Sequence, residues 1–274
     1  MLIGFTPIMA VFWSTVITFA VSFIRKDTAL TPTKLIRALR GGSIGVLSVA
    51  ATCAAAGIIV GVVTLTGLGL KFSSIIIAYA GGSVLLTTIY TGMIVWVIGL
   101  AVPVTASYII AVVICAPAMI QLGVPEFAAH MFVFYYAILS EVSPPTALSC
   151  FAAAALTKGN PYKTTMYAWK YTLPAFIVPF MFSVDPKGIG ILLKGPVVDV
   201  IWTTFTAFVG IAALAGGVEN WLFKKTTLYE RIMLIVAGLA LVYPQPLYDL
   251  IGFGLIVLVI ISQKLRKEER ILKV

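Results

Sequence analysis

Apolar residues run along this chain in blocks too long for a soluble core, and the polar residues gather between them. A bilayer-crossing helix needs roughly 20 predominantly apolar residues. The first such block covers about 3–24 and ends at Arg25-Lys26. PTKLIRALRGG follows, at 32–42. Leu35, Ile36 and Leu39 share one helical face there, with Lys34, Arg37 and Arg40 around them. That spacing predicts a short basic amphipathic helix lying in the membrane interface. Its Gly-Gly end is read as the helix stop. A second span is predicted over about 43–66.

No charge occurs from Phe72 to Pro125, which is too long for one span. The run is interrupted at AVPVTAS (101–107), where Pro103 removes a backbone donor. The arms, about 83–100 and 107–121, either cross the membrane separately or form a re-entrant hairpin with its tip at 101–107. The next segment, 126–157, is broken by SEVSPPTA at 140–147. Further spans are predicted at about 164–183, 197–218, 231–244 and 247–263. The fold class is therefore an all-α, polytopic integral membrane bundle with one hairpin and one discontinuous helix. Residues 1–186 are expected to form a scaffold-plus-repeat region, and 187–274 a C-terminal transmembrane extension.

Composition agrees. Of 274 residues, 61% are hydrophobic and only 11% charged, against about 25% in soluble domains. Mean hydropathy is +1.07. The net charge of +9 does not indicate nucleic acid, because the charges sit in short clusters between apolar runs. Alternating the spans places sixteen of the nineteen Lys and Arg on one side, leaving only Lys71, Lys187 and Lys194 on the other. The positive-inside rule then puts the N-terminus outside and the KLRKEER tail in the cytoplasm. Residues 2–24 are too long for a signal-peptide core and are read as a transmembrane helix.

The chemistry is sparse. Cys53, Cys115 and Cys150 fit no disulfide or metal framework and read as small core residues. The one histidine, His130, reads as a hydrogen-bonded structural residue, and Phe132, Phe134, Tyr135 and Tyr136 as packing or interface aromatics. There is no Ser-His-Asp set, phosphate loop or metal cluster, so neither an enzyme nor a cofactor is expected.

The two interruptions carry the functional expectation. Inside hydrocarbon, backbone groups freed by a break must be satisfied by protein, water or ligand. The first break carries Ala101, Pro103, Thr105 and Ser107. The second carries Ser140, Glu141, Ser143, Pro144, Pro145 and Thr146. Helix N-termini expected near Ser107 and Thr146 favour an anion. Helix C-termini expected near Leu100 and Ser140 present carbonyls that suit a cation such as Na⁺. Thr105, Ser107, Ser143 and Thr146 are its candidate side-chain ligands. Secondary transporters with broken helices place their sites in this way. A carboxylate at membrane depth, such as Glu141, is a functional hypothesis by default. It either handles an ion or proton, or holds the break in place.

Residues 99–180, GLAVPVTASYIIAVVICAPAMIQLGVPEFAAHMFVFYYAILSEVSPPTALSCFAAAALTKGNPYKTTMYAWKYTLPAFIVPF with its flanks, resemble the large permease subunit of tripartite ATP-independent periplasmic (TRAP) transporters. The likeness is greatest to the fused small-plus-large permeases that work with TAXI-type receptors. The proline-rich break matches the family's Thr-Pro-Pro type motif, with Ser143 in the threonine place. The resemblance implies a cation-driven elevator transporter of the inner membrane, built from two inverted repeats. It implies a periplasmic solute receptor and an organic anion substrate, often a carboxylate. Sodium is the usual coupling ion, and proton coupling would enlarge the role of Glu141. Only one hairpin and one broken helix are found, so the chain is expected to be the C-terminal half of a permease. Its partners are then the N-terminal half, the small permease region and the receptor. The alternative is a truncated or non-transporting subunit that only assembles with another permease chain.

Overall fold

A computed structural model describes residues 6–25 and 27–266. Lys26 and the tail residues Lys267, Arg270 and Lys273, which entered the charge count, lie outside the described residues, as do residues 3–5 of the first predicted span. The described residues are helical, and their one β feature is an isolated bridge between Trp221 and Lys225. The chain divides into two compact units, Met1–Ala54 and Ala55–Val274.

In the first unit, helix α1 (Pro7–Ser22) starts with proline at its first position and the Thr6 hydroxyl accepting from Met9 N. Both features suit a helix start, because the N–H groups there have no partner within the helix. Helix α2 runs without a break over Pro32–Leu65, from this unit into the second. The predicted interfacial helix 32–42 and span 43–66 are therefore one element, and the Gly-Gly stop does not exist. Gly41 and Gly42 have no positive φ, and nothing lies within 4 Å of a Cβ added to either. Glycine inside a helix costs only about 1 kcal/mol relative to alanine, less than leaving backbone groups unpaired in apolar surroundings. The true stop is Gly67, at φ 66°. Gly41→Ala and Gly42→Ala are accordingly expected to stabilise the protein by about 1 kcal/mol each. Loss of thermal stability in the double variant would restore the glycine stop.

The second unit begins its own helices with α3 (Leu68–Tyr79) and continues with the hairpin of α4 (Val84–Gly99) and α5 (Val104–Gln121). Helix α6 (Glu126–Leu139) leads through a 3₁₀ turn at Ser140–Val142 to α7 (Leu148–Thr157). The expected helix over 164–183 is instead three pieces: α8 (Pro161–Thr172), a 3₁₀ turn (Leu173–Phe176) and α9 (Val178–Val184). Pro174 and Pro179 each lack an N–H, and each sits in the first turn of its piece, where no donor is needed. A 3₁₀ stretch, Pro186–Leu192, leads to α10 (Val197–Glu219), α11 (Leu228–Val242) and α12 (Pro246–Leu265).

The main core lies where α4, α5 and α6 meet. Val95, Ala111, Cys115, Met119, Phe132 and Val133 are fully buried there. Phe132 stacks on Tyr136 at 4.8 Å, and Phe180 meets Phe132 edge-on at 5.5 Å. Cys115 and Cys150 are buried, as the core reading expects, whereas Cys53 is half-buried. Small residues let the last three helices approach closely, the usual device of helices in a membrane. A Cβ on Gly238 of α11 would lie 2.7 Å from the Gly210 carbonyl oxygen of α10. Helices α2, α5, α10 and α12 are long and apolar enough to cross a membrane. The protein is an all-α integral membrane bundle.

Candidate functional site

The hairpin tip and the helix break meet. Helix α4 ends at Gly99, with Leu100 as its cap, and α6 passes into its 3₁₀ turn at Ser140, as the breaks predicted. Gly99 is where they touch. A Cβ there would lie 2.6 Å from Ser140 Cβ and 3.2 Å from Ser107 Oγ. Only a glycine lets α4, α5 and the break approach this closely. Ser107 and Ser140, 33 residues apart in sequence, are thereby brought together, and both are buried.

The helix starts differ from expectation. Helix α5 begins at Val104 because Pro103, at φ −57° and ψ 152°, is its cap. Ser107 is thus in the second turn, and its N–H already donates to the Pro103 carbonyl at 2.9 Å. The amides without a partner inside the helix are those of Val104, Thr105 and Ala106, one turn earlier. Helix α7 begins at Leu148, after Ala147 in the left-handed region at φ 32°, rather than at Thr146. The Pro144–Pro145 bond is cis.

Side-chain hydroxyls and a thiol at the break bond to carbonyls around it. Ser140 Oγ donates to the Ala137 carbonyl at 2.7 Å, and Ser143 Oγ to the Leu139 carbonyl at 2.8 Å. Across the break, Ser149 Oγ donates to the Glu141 carbonyl at 2.9 Å, and Cys150 Sγ reaches the Val142 carbonyl at 3.9 Å. Each carbonyl oxygen keeps a second lone pair for a further partner. Ser107 Oγ is the exception: it is fully buried and has no hydrogen-bond partner among the described residues. An unpaired buried hydroxyl is costly, which marks Ser107 as a group awaiting a partner.

The remaining candidates lie around this pair. Ala101, Pro103, Thr105 and Pro145 are exposed, while Pro144 and Thr146 are half-buried. No hydrogen bond joins Thr105 to Ser143 or Thr146 among the described residues. Glu141 is half-buried, and its carboxylate has no hydrogen bond or ion pair among the described residues. His130 Nδ1 and Tyr108 Oη are 2.9 Å apart, which is the structural hydrogen bond expected of that histidine. The donor set is hydroxyls and carbonyls, hard oxygen ligands suited to a hard cation rather than to a thiophilic metal.

Sequence reasoning missed Gly99, Ser149 and Cys150. A glycine closing an apolar helix just before a proline tip was a usable signal for a close approach. Nothing local marked Ser149 and Cys150, whose carbonyl partners lie eight residues back across the break.

Searches of curated proteins and of solved structures each find no match. Residues 1–187 match the family described as "Tripartite ATP-independent periplasmic transporter, DctM component". The match includes the hairpin, the break and α6–α9, and leaves α10–α12 outside. With over half its length matched, the chain belongs to the large-permease (DctM) family of tripartite ATP-independent periplasmic transporters.

Proposed function

We propose that this chain takes part in cation-coupled uptake of an organic anion, a carboxylate delivered by a periplasmic receptor of the TAXI type. Na⁺ is the coupling ion, and the protein acts in the inner membrane with its N-terminus outside. The observation that carries the reading is Ser107: a buried, unpartnered hydroxyl held beside Ser140 where two broken helices meet. Thr105, Ser143, Thr146 and the carbonyls at the ends of α4 and α6 complete the oxygen donors. The first-turn amides of α5 face the anion. The exposed tip residues Ala101, Pro103 and Thr105 leave one side of the site open. A permease chain bearing the first inverted repeat and the small permease region supplies the other side.

A second reading has its own support. Ser140, Ser143 and Ser149 all donate to carbonyls around the break itself, which is what a purely structural break requires. The chain is then a subunit that assembles with another permease chain without turnover of its own.

One experiment separates them. The chain is co-expressed with a permease half carrying the first repeat and with a receptor, and sodium-dependent carboxylate uptake is measured. The combined Thr105→Ala, Glu141→Ala and Ser143→Ala variant is expected to lose uptake while still assembling. Uptake unchanged in that variant would refute the site. A cysteine placed at Lys187 is expected to label from outside, and labelling only from inside would reverse the orientation.

A further inference from the structure

Between α10 and α11 the chain makes a fixed turn at 220–227 rather than a loose loop. Asn220, at φ 60°, ends α10. Thr226 Oγ1 donates to Asn220 Oδ1 at 2.6 Å, and Thr226 N donates to the Asn220 carbonyl at 3.2 Å. Trp221 and Lys225 pair as an antiparallel bridge. Side chains therefore alternate. Leu222 points inward onto Ala213, Leu234 and Val259, while Trp221 and Phe223 point outward, 59% and 66% exposed.

Helix α12 grips the turn. Gln263, fully buried, accepts through Oε1 from Phe223 N at 3.2 Å and Lys224 N at 3.3 Å. Glu230, also buried, accepts from Thr227 N at 2.8 Å, Ser262 Oγ at 2.7 Å and Arg266 Nη1 at 3.2 Å. Arg266 Nη2 donates to the Lys225 carbonyl, and Lys224 Nζ donates to the Arg266 carbonyl. The clamp holds Trp221 and Phe223 outward, and Tyr229, 79% exposed, adds a third ring on the first turn of α11.

Among the described residues, no carboxylate at this end is left unpaired. Glu219 is taken by Lys170 at 3.0 Å, and Glu230 by Arg266. Lys225 and Lys264 are exposed and have no carboxylate partner among the described residues. Free lysines beside outward aromatics, at the ends of two helices long enough to span a membrane, match one surface. That surface is an anionic headgroup layer, which takes rings at its apolar boundary and ammonium groups at its phosphates.

We propose that the 220–227 turn docks anionic phospholipid, with Trp221, Phe223 and Tyr229 at the acyl boundary and Lys225 and Lys264 on the phosphates. This surface lies outside the family match and apart from the hairpin site.

The test uses the intact chain in nanodiscs of phosphatidylcholine and phosphatidylglycerol, with one lipid brominated at a time. Subtracting the Trp221→Phe variant isolates Trp221 fluorescence. Brominated phosphatidylglycerol is expected to quench Trp221 more than brominated phosphatidylcholine at the same mole fraction. Each free lysine should enrich anionic lipid about fivefold. The advantage should vanish in Lys225→Gln/Lys264→Gln, whose substituted side chains make no bond in the clamp, so its thermal stability should be unchanged. Equal quenching by both lipids, or none by either, overturns the proposal. So does an advantage that survives in the lysine variant.

Discussion

Gly99→Ala is expected to lower thermal stability and, under the function proposed above, to abolish uptake with it. The new methyl would lie 2.6 Å from Ser140 Cβ, well inside contact distance, and 3.2 Å from Ser107 Oγ. Overpacking of this kind costs about 1–3 kcal/mol, a sizeable share of a total stability of roughly 5–15 kcal/mol. Relief by moving the α4–α5 hairpin away from the break would separate Ser107 from Ser140. Ser140→Gly removes the colliding atoms, and with them the bond to the Ala137 carbonyl. Combined, the two changes should be less destabilising than the sum of the singles, because the residues touch. Uptake should stay low in the double variant, since a hydroxyl of the proposed site is gone. Simple additivity in thermal unfolding would show that no close approach exists.

That contact also marks how far the sequence could be read. Pro103 and the run SEVSPPTA located both breaks, because a missing N–H inside an apolar run has few other meanings. The ends of α4 and α6 followed within a residue or two. What proline did to the following helix was harder to see. Pro103 became the cap of α5 and moved the free amides a turn away from Ser107. Pro174 and Pro179 divided a helix that composition alone presented as continuous. Gly41 and Gly42 failed in the opposite sense: a stop motif needs a chain that gains from turning there, and apolar surroundings reward the unbroken helix. The partners that satisfy the break, Ser149 and Cys150, and the contact through Gly99 depend on tertiary approach, which periodicity does not encode.

Arg266→Ala is expected to be the most destabilising single change in the C-terminal clamp. The Glu230 side chain is 4% exposed and would keep its bonds to Thr227 N and Ser262 while losing its cation. Removing one partner of a buried ion pair costs about 3–5 kcal/mol, mostly through the charge left behind. Arg266 is itself 35% exposed, so screening places the loss near the lower end of that range. Glu230→Gln alone should cost less, because the arginine left over can reach water. Glu230→Gln in the Arg266→Ala background should therefore recover stability, which a mere loss of contacts would not allow. Equal unfolding temperatures for Arg266→Ala and the double variant would assign the damage to the lost bond with the Lys225 carbonyl instead. The clamp shares no partner residue with Gly99, Ser107 or Ser140, so Arg266→Ala and Gly99→Ala should add in stability. Additivity would mean that α10–α12, outside the family match, are held by their own interactions and not by the breaks.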